Sequence, residues 1–167
     1  ASFTGNKAAN GAGIYLYGLN NKVMAELTDS FIDNNIASDW GGGIFAYNGA
    51  EVKANNTSIS NNKGGNAGGL LVWNNSSAEL SNGSKVCGNT ATNGNGGGIY
   101  AINGTVTATD CDISDNDAGK YNGGGICAQN STLTLKTNTF YRNKSKSGGA
   151  ISMNASDATL TGNTIDH

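Results

Sequence analysis

Val86-Cys87-Gly88-Asn89-Thr90-Ala91-Thr92-Asn93-Gly94-Asn95-Gly96-Gly97-Gly98-Ile99 carries the two signatures from which the fold is read. The first is an apolar residue, two variable residues, then Asn, with a small residue two places on: Val86, Asn89, Ala91. The second is a glycine pair, any residue, then an aliphatic residue: Gly96-Gly97-Gly98-Ile99.

Both recur on either side. The asparagine signature appears as Phe3…Asn6, Ile32…Asn35, Ile59…Asn62, Val86…Asn89, Ile113…Asn116 and Phe140…Asn143, with steps of 29, 27, 27, 27 and 27 residues. The glycine signature precedes Ile14, Ile44, Leu71, Ile99, Ile126 and Ile151. A third segment alternates apolar and polar residues between them: Ala25 and Leu27, Val52 and Ala54, Ala78 and Leu80, Val106 and Ala108, Leu133 and Leu135, Ala158 and Leu160. Period-two alternation over four to six residues reads as strand, and no segment shows sustained helical spacing.

Such a unit cannot bury its own apolar face, but stacked units can. The sequence therefore predicts an all-β fold: a single parallel β-helix over residues 1–167, about six coils of some 27 residues with three short strands each. At ~4.8 Å per coil the rod is about 30 Å long. The expected inward columns are Ile14, Ile44, Leu71, Ile99, Ile126, Ile151 and Leu16, Ala46, Trp73, Ala101, Ala128, Met153. Asn6, Asn35, Asn62, Asn89, Asn116 and Asn143 are expected to form a structural ladder at one corner, because stacked side-chain amides bond one another along the stack. The glycines supply φ > 0 at a tight corner.

The tetrapeptide Gly148-Gly149-Ala150-Ile151 and the FxxN stretches Phe3-Thr4-Gly5-Asn6 and Phe140-Tyr141-Arg142-Asn143 resemble the repeats of chlamydial polymorphic outer-membrane proteins and of adhesin-like β-helix proteins of other microbes. The resemblance implies a right-handed β-helix, a secreted or cell-surface location, and a role in attachment or scaffolding. It implies no catalytic residue.

Composition narrows the function classes. A net charge of −2 with 10 Lys and Arg against 12 Asp and Glu provides no basic footprint for nucleic acid. No apolar run approaches the ~20 residues of a membrane span. The chain does not begin with Met and carries no signal peptide, as expected of a mature form or a fragment. Since 162 residues, six times 27, separate Phe3 from Ile165, it is expected to be part of a longer repeat protein or a subunit that stacks end to end on its own copies.

Several outward ranks could carry function. Tyr15, Phe45 and Tyr100, then Tyr17, Tyr47 and Ile102, form an aromatic stripe suited to a cell-surface glycan or protein. Stacked aromatics also simply stabilise neighbouring strands. In the middle strand Thr105, Thr107, Thr109, Thr132, Thr134, Thr159 and Thr161 form a threonine face like those of ice-binding β-helices. Lys136 interrupts it, and Glu26, Lys53 and Glu79 occupy the same column earlier. Asp110, Asp112, Asp115 and Asp117 read either as oxygen ligands for Ca²⁺ or as a solvated acidic turn. No cofactor is expected. The odd count of Cys87, Cys111 and Cys127, with a poor offset between the first two, predicts mostly free thiols. Asn-x-Ser/Thr sequons start at Asn55, Asn74, Asn75, Asn82, Asn103, Asn130, Asn143 and Asn154.

Polysaccharide lyases and hydrolases share this fold class, so architecture alone does not decide catalysis. Glycoside hydrolysis needs two facing carboxylates. Here the sole histidine is His167, the sole arginine is Arg142, and no acidic pair recurs beside a basic group. The expectation is a non-catalytic extracellular rod, with an ice-binding protein and a pectate-lyase-like enzyme as alternatives.

Overall fold

The computed structural model describes residues 1–19 and 22–166; His167 lies outside them. Every regular element is a short strand, and every pairing is parallel to the neighbouring coil. Three sheets run the length of the rod. The glycine-led sheet has six strands, Ile14–Tyr17 through Ile151–Asn154. The middle sheet has six, Met24–Thr28 through Asp157–Thr161. The asparagine sheet has seven, Ser2–Thr4 through Thr164–Asp166. Phe3 and Ile165 belong to one column of that sheet, through Ile32 at one end and Phe140 at the other.

A fourth, short sheet differs from the expected three strands per coil. Lys7–Asn10, Ile36–Trp40, Lys63–Gly64 and Thr90–Ala91 pair just after the asparagine corner. Beyond it the pairing thins to single bridges from Thr90 to Asp117 and from Asp117 to Lys144. Lys7–Asn10 and Ile36–Trp40 do not alternate between buried and exposed residues, and the two later strands have two residues each, so periodicity does not reveal this sheet.

The core is one continuous cluster of inward side chains, including Ile32, Ile59, Val86, Ile113 and Phe140 from the asparagine sheet. Each fully buried Ile or Leu contributes on the order of 1.5–3 kcal/mol. At the corner Asn35, Asn62, Asn89 and Asn116 are buried, and the ladder is complete. Asn62 donates its backbone N–H and its Nδ2 to Asn89 Oδ1 at 2.9 and 3.1 Å. Asn89 donates Nδ2 to the Ile59 carbonyl at 2.8 Å and to Asn116 Oδ1 at 3.0 Å. The same pattern joins Asn6 to Asn35 and Asn116 to Asn143.

Two further ladders close the other corners. Thr57 and Cys111 donate their N–H groups to Ser84 Oγ and Asn138 Oδ1 of the next coil. Ala50, Gly104 and Ser131 donate to Ser76, Ser131 and Ser156 hydroxyls. Sequence inspection singled out one ladder because only that one uses the same residue six times.

The third coil corrects the expected register. Leu70, not Leu71, pairs with Ile44 and Ile99, and Leu71 pairs with Phe45 and Tyr100. Leu70 and Val72 therefore point inward, while Leu71 and Trp73 belong to the outer face. The glycine signature shifts by one because Ala67 occupies the place that Gly41 and Gly96 fill in neighbouring coils. Ala67 has φ +53°, against +61° and +70° for those glycines. At Gly41 a Cβ would lie 2.6 Å from the Ile44 carbonyl oxygen and 2.9 Å from Phe45 Cβ. The chain thus turns back over the outer face of the strand it is about to enter.

Candidate functional site

That return turn decides which of the outward aromatics reach solvent. Phe45 is 4 % exposed and Tyr100 5 %; with Ala67, Leu71 and Cys127 they form a second apolar cluster outside the glycine-led sheet. The expectation that both are displayed is therefore corrected: alternation places them outward, and the segment preceding the glycines covers them. The Tyr100 hydroxyl donates to Gln129 Oε1 at 2.7 Å and accepts from Asn95 Nδ2 at 3.3 Å. Burial pushes its pKa up, with the Asn95 hydrogen bond opposing. Burial also pushes the Cys127 thiol up to about 11.

The second outward rank stays open. Tyr17 pairs with Tyr47, Tyr47 with Trp73, and Trp73 with Ile102. Ring centroids are 5.6 Å apart for Tyr17 and Tyr47 and 5.1 Å apart for Tyr47 and Trp73. Tyr17 is 44 % exposed and Tyr15, beside it, 50 %; Tyr47, Trp73 and Ile102 are half-buried. The Tyr15 pKa is raised, first by partial burial and then by Tyr17 and Tyr47. Trp40, from the short-strand sheet, packs on Trp73 with centroids 5.2 Å apart.

Trp40 also walls a polar notch of about 210 Å³ with Ser38, Asp39, Asn66 and Asn93. Four aromatic side chains, Tyr17, Tyr47, Trp73 and Trp40, thus run continuously into a pocket of carboxylate, amide and hydroxyl groups. Such rings pair by offset or tilted stacking, which fixes their orientation. An apolar platform beside a few oriented polar groups is the usual composition of a small-molecule site. Sequence reasoning missed Trp73, read as a core residue, and Trp40. The signal was available: aligned on Leu70, Trp73 falls three residues after the leading aliphatic, as do Tyr17 and Tyr47.

The remaining candidates disperse. Thr107, Thr134 and Thr159 share one column and Thr105 and Thr132 another, and Thr109 and Thr161 flank Lys136. Glu26, Lys53 and Glu79 continue the first column. Thr105, Thr132, Thr134, Thr159 and Thr161 are exposed, Thr107 and Thr109 half-buried. The aspartates go to separate partners. Asp110 accepts from the Thr137 hydroxyl, Asp115 pairs with Arg142 at 2.8 Å, and Asp117 accepts from the Gly119 N–H at 2.6 Å. Among the described residues no three His, Cys, Asp or Glu are grouped to hold a metal. All three cysteines are free thiols. Of the sequon asparagines, Asn143 has its amide in the ladder, donating to the Ile113 carbonyl at 2.7 Å. Asn74, Asn75, Asn82, Asn103 and Asn130 occupy left-handed corner positions.

Two family models match the chain. The right handed beta helix region model matches residues 68–167, more than half of it, and the Chlamydia polymorphic membrane protein repeat model matches residues 29–47. No curated protein and no solved structure matches.

Proposed function

Because the chain belongs to the right-handed β-helix family, its stacked coils form a scaffold that displays side chains in fixed ranks, and we propose that it is a non-catalytic, surface-displayed rod that recognises glycans through its aromatic face. The observation that carries this reading is the unbroken run of Tyr17, Tyr47, Trp73 and Trp40 into the polar notch at Asp39, Asn66 and Asn93. A saccharide ring offers a C–H face to an aromatic surface and hydroxyls to carboxylate and amide groups, the two chemistries adjoining here. Likeness of residues 29–47 to a polymorphic membrane protein repeat supports display at a cell surface.

The test is binding of the intact chain to a panel of cell-surface glycans and to whole cells. Changing Trp40→Ser and Tyr47→Ser together is expected to weaken retention about tenfold or more, equivalent to ~1.4 kcal/mol. Unchanged retention removes the aromatic face as the site, and release of oligosaccharides from acidic polysaccharides makes the chain an enzyme instead. The aligned threonine columns of the middle sheet favour a second reading, adsorption to ice, for which thermal hysteresis is the discriminating measurement.

A further inference from the structure

The asparagine sheet carries an exposed feature that neither the ladder nor the aromatic face accounts for. One outer column of that sheet runs Ser2, Phe31, Ser58, Lys85, Asp112, Thr139 and Thr164. Phe31 is the only aromatic residue in it and is 58 % exposed. A lone exposed Phe needs no explanation by itself. This one walls a cavity.

Ser58, one coil on, is short, and Lys85, one coil further, is long. At the adjoining corner Asp29 and Asn56 hold left-handed positions with φ +48° and +46°. Gly83, with φ +76°, has no side chain, and a Cβ built there would meet nothing within 4 Å. The result is a notch of about 320 Å³ between the Phe31 ring and Lys85. That volume is at the lower end of the ~300–1,000 Å³ range of small-molecule sites.

The walls have unlike chemistry. Asn56 Nδ2 donates to Asp29 Oδ1 at 2.6 Å, so the carboxylate and amide are held together on one side. Lys85 supplies an ammonium on the other. We propose that this notch is a second saccharide subsite, in which the C–H face of one sugar ring packs on Phe31 while its hydroxyls bond Asp29, Asn56 and Lys85. Neighbouring opposite charges suit a neutral sugar better than an acidic one, since an added carboxylate facing Lys85 would also face Asp29. A peptide strand is a poor fit, because the strands around the notch already pair with both neighbours and offer no free edge. Nucleic acid would find one cation. The site belongs to a different sheet from the Tyr17–Trp73 face, so the two stand or fall separately.

The experiment is amide-resolved NMR titration of the full chain with lactose, maltose, cellobiose and N,N′-diacetylchitobiose. At least one disaccharide is expected to give saturable shifts at Phe31, Ser58 and Gly83, with millimolar affinity. Phe31→Ser and Ser58→Leu, the latter filling the notch, are expected to weaken those shifts about tenfold, and Phe31→Tyr to retain them. Trp40→Ser with Tyr47→Ser is expected to leave them unchanged. Absence of shifts with every disaccharide overturns the proposal. So do shifts of equal size in Phe31→Ser with the strand signals otherwise intact.

Discussion

The Asn62–Asn89–Asn116 ladder and the Tyr17–Tyr47–Trp73 ladder are built on the same coil-to-coil spacing, yet they use it differently. In the first, every side-chain amide shown by the geometry is consumed inside the chain: Asn89 accepts twice from Asn62 and donates to Ile59 and Asn116. In the second, ring packs against ring, but the outer edges remain open to solvent. A repeating column is therefore not evidence of function in itself. What separates the two is whether the column's chemistry is exhausted by its own neighbours.

Substitution sharpens that contrast most strongly at Asn89. Asn89→Ala leaves the buried Asn62 N–H and one Asn62 Nδ2 hydrogen without their shared acceptor, and each such group costs ~1–3 kcal/mol. A loss of about 3–5 kcal/mol in denaturant unfolding is expected. Trp73→Ser, by contrast, is expected to lose about half as much or less, because only part of the indole is buried. An equal loss for the two variants would make the aromatic ladder as structural as the amide one.

A much smaller effect is expected at Ala67→Gly. A side chain at φ +53° carries a left-handed penalty of roughly 1–2 kcal/mol, offset by glycine's greater freedom when unfolded and by loss of a buried methyl worth about 0.8 kcal/mol. The variant is expected to unfold within about 1 kcal/mol of the parent chain in denaturant.

At neutral pH the weakest effect belongs to the buried thiols behind the aromatic face and at the Thr57–Ser84 corner. Burial raises both Cys127 and Cys111 from 9.0 to about 11. Below pH 9 the thiols are protonated in both folded and unfolded chains, so their contribution is constant. Between pH 9 and about pH 11 only the unfolded chain ionises, and stability falls as pH rises. A pH series of melting temperatures should show this decline, and Cys127→Ala should flatten part of it.

Much of the fold was legible because it depends on spacing alone. Asn35, Asn62, Asn89 and Asn116 announce a column before any coordinate is known. The third coil was misaligned because Ala67 does a glycine's work, so the visible Gly68-Gly69 pair pointed to Leu71 instead of Leu70. The candidate site was less legible for a different reason. Alternation tells whether a side chain leaves the inner or outer face of its strand, and Phe45 and Tyr100 do leave the outer one. It cannot tell that Gly41 and Gly96 bring another segment down over them. The one-residue shift hides Trp73, and Phe31 is hidden because it stands alone among Ser, Lys, Asp and Thr in its column.

Because each coil bonds only to the coils on either side, a lesion in one stays local and a coil is an exchangeable part. Duplication or deletion of a whole unit would preserve the coil-to-coil bonding pattern and change how far the outer faces extend. Reach is then inherited in increments of one coil, ~4.8 Å at a time.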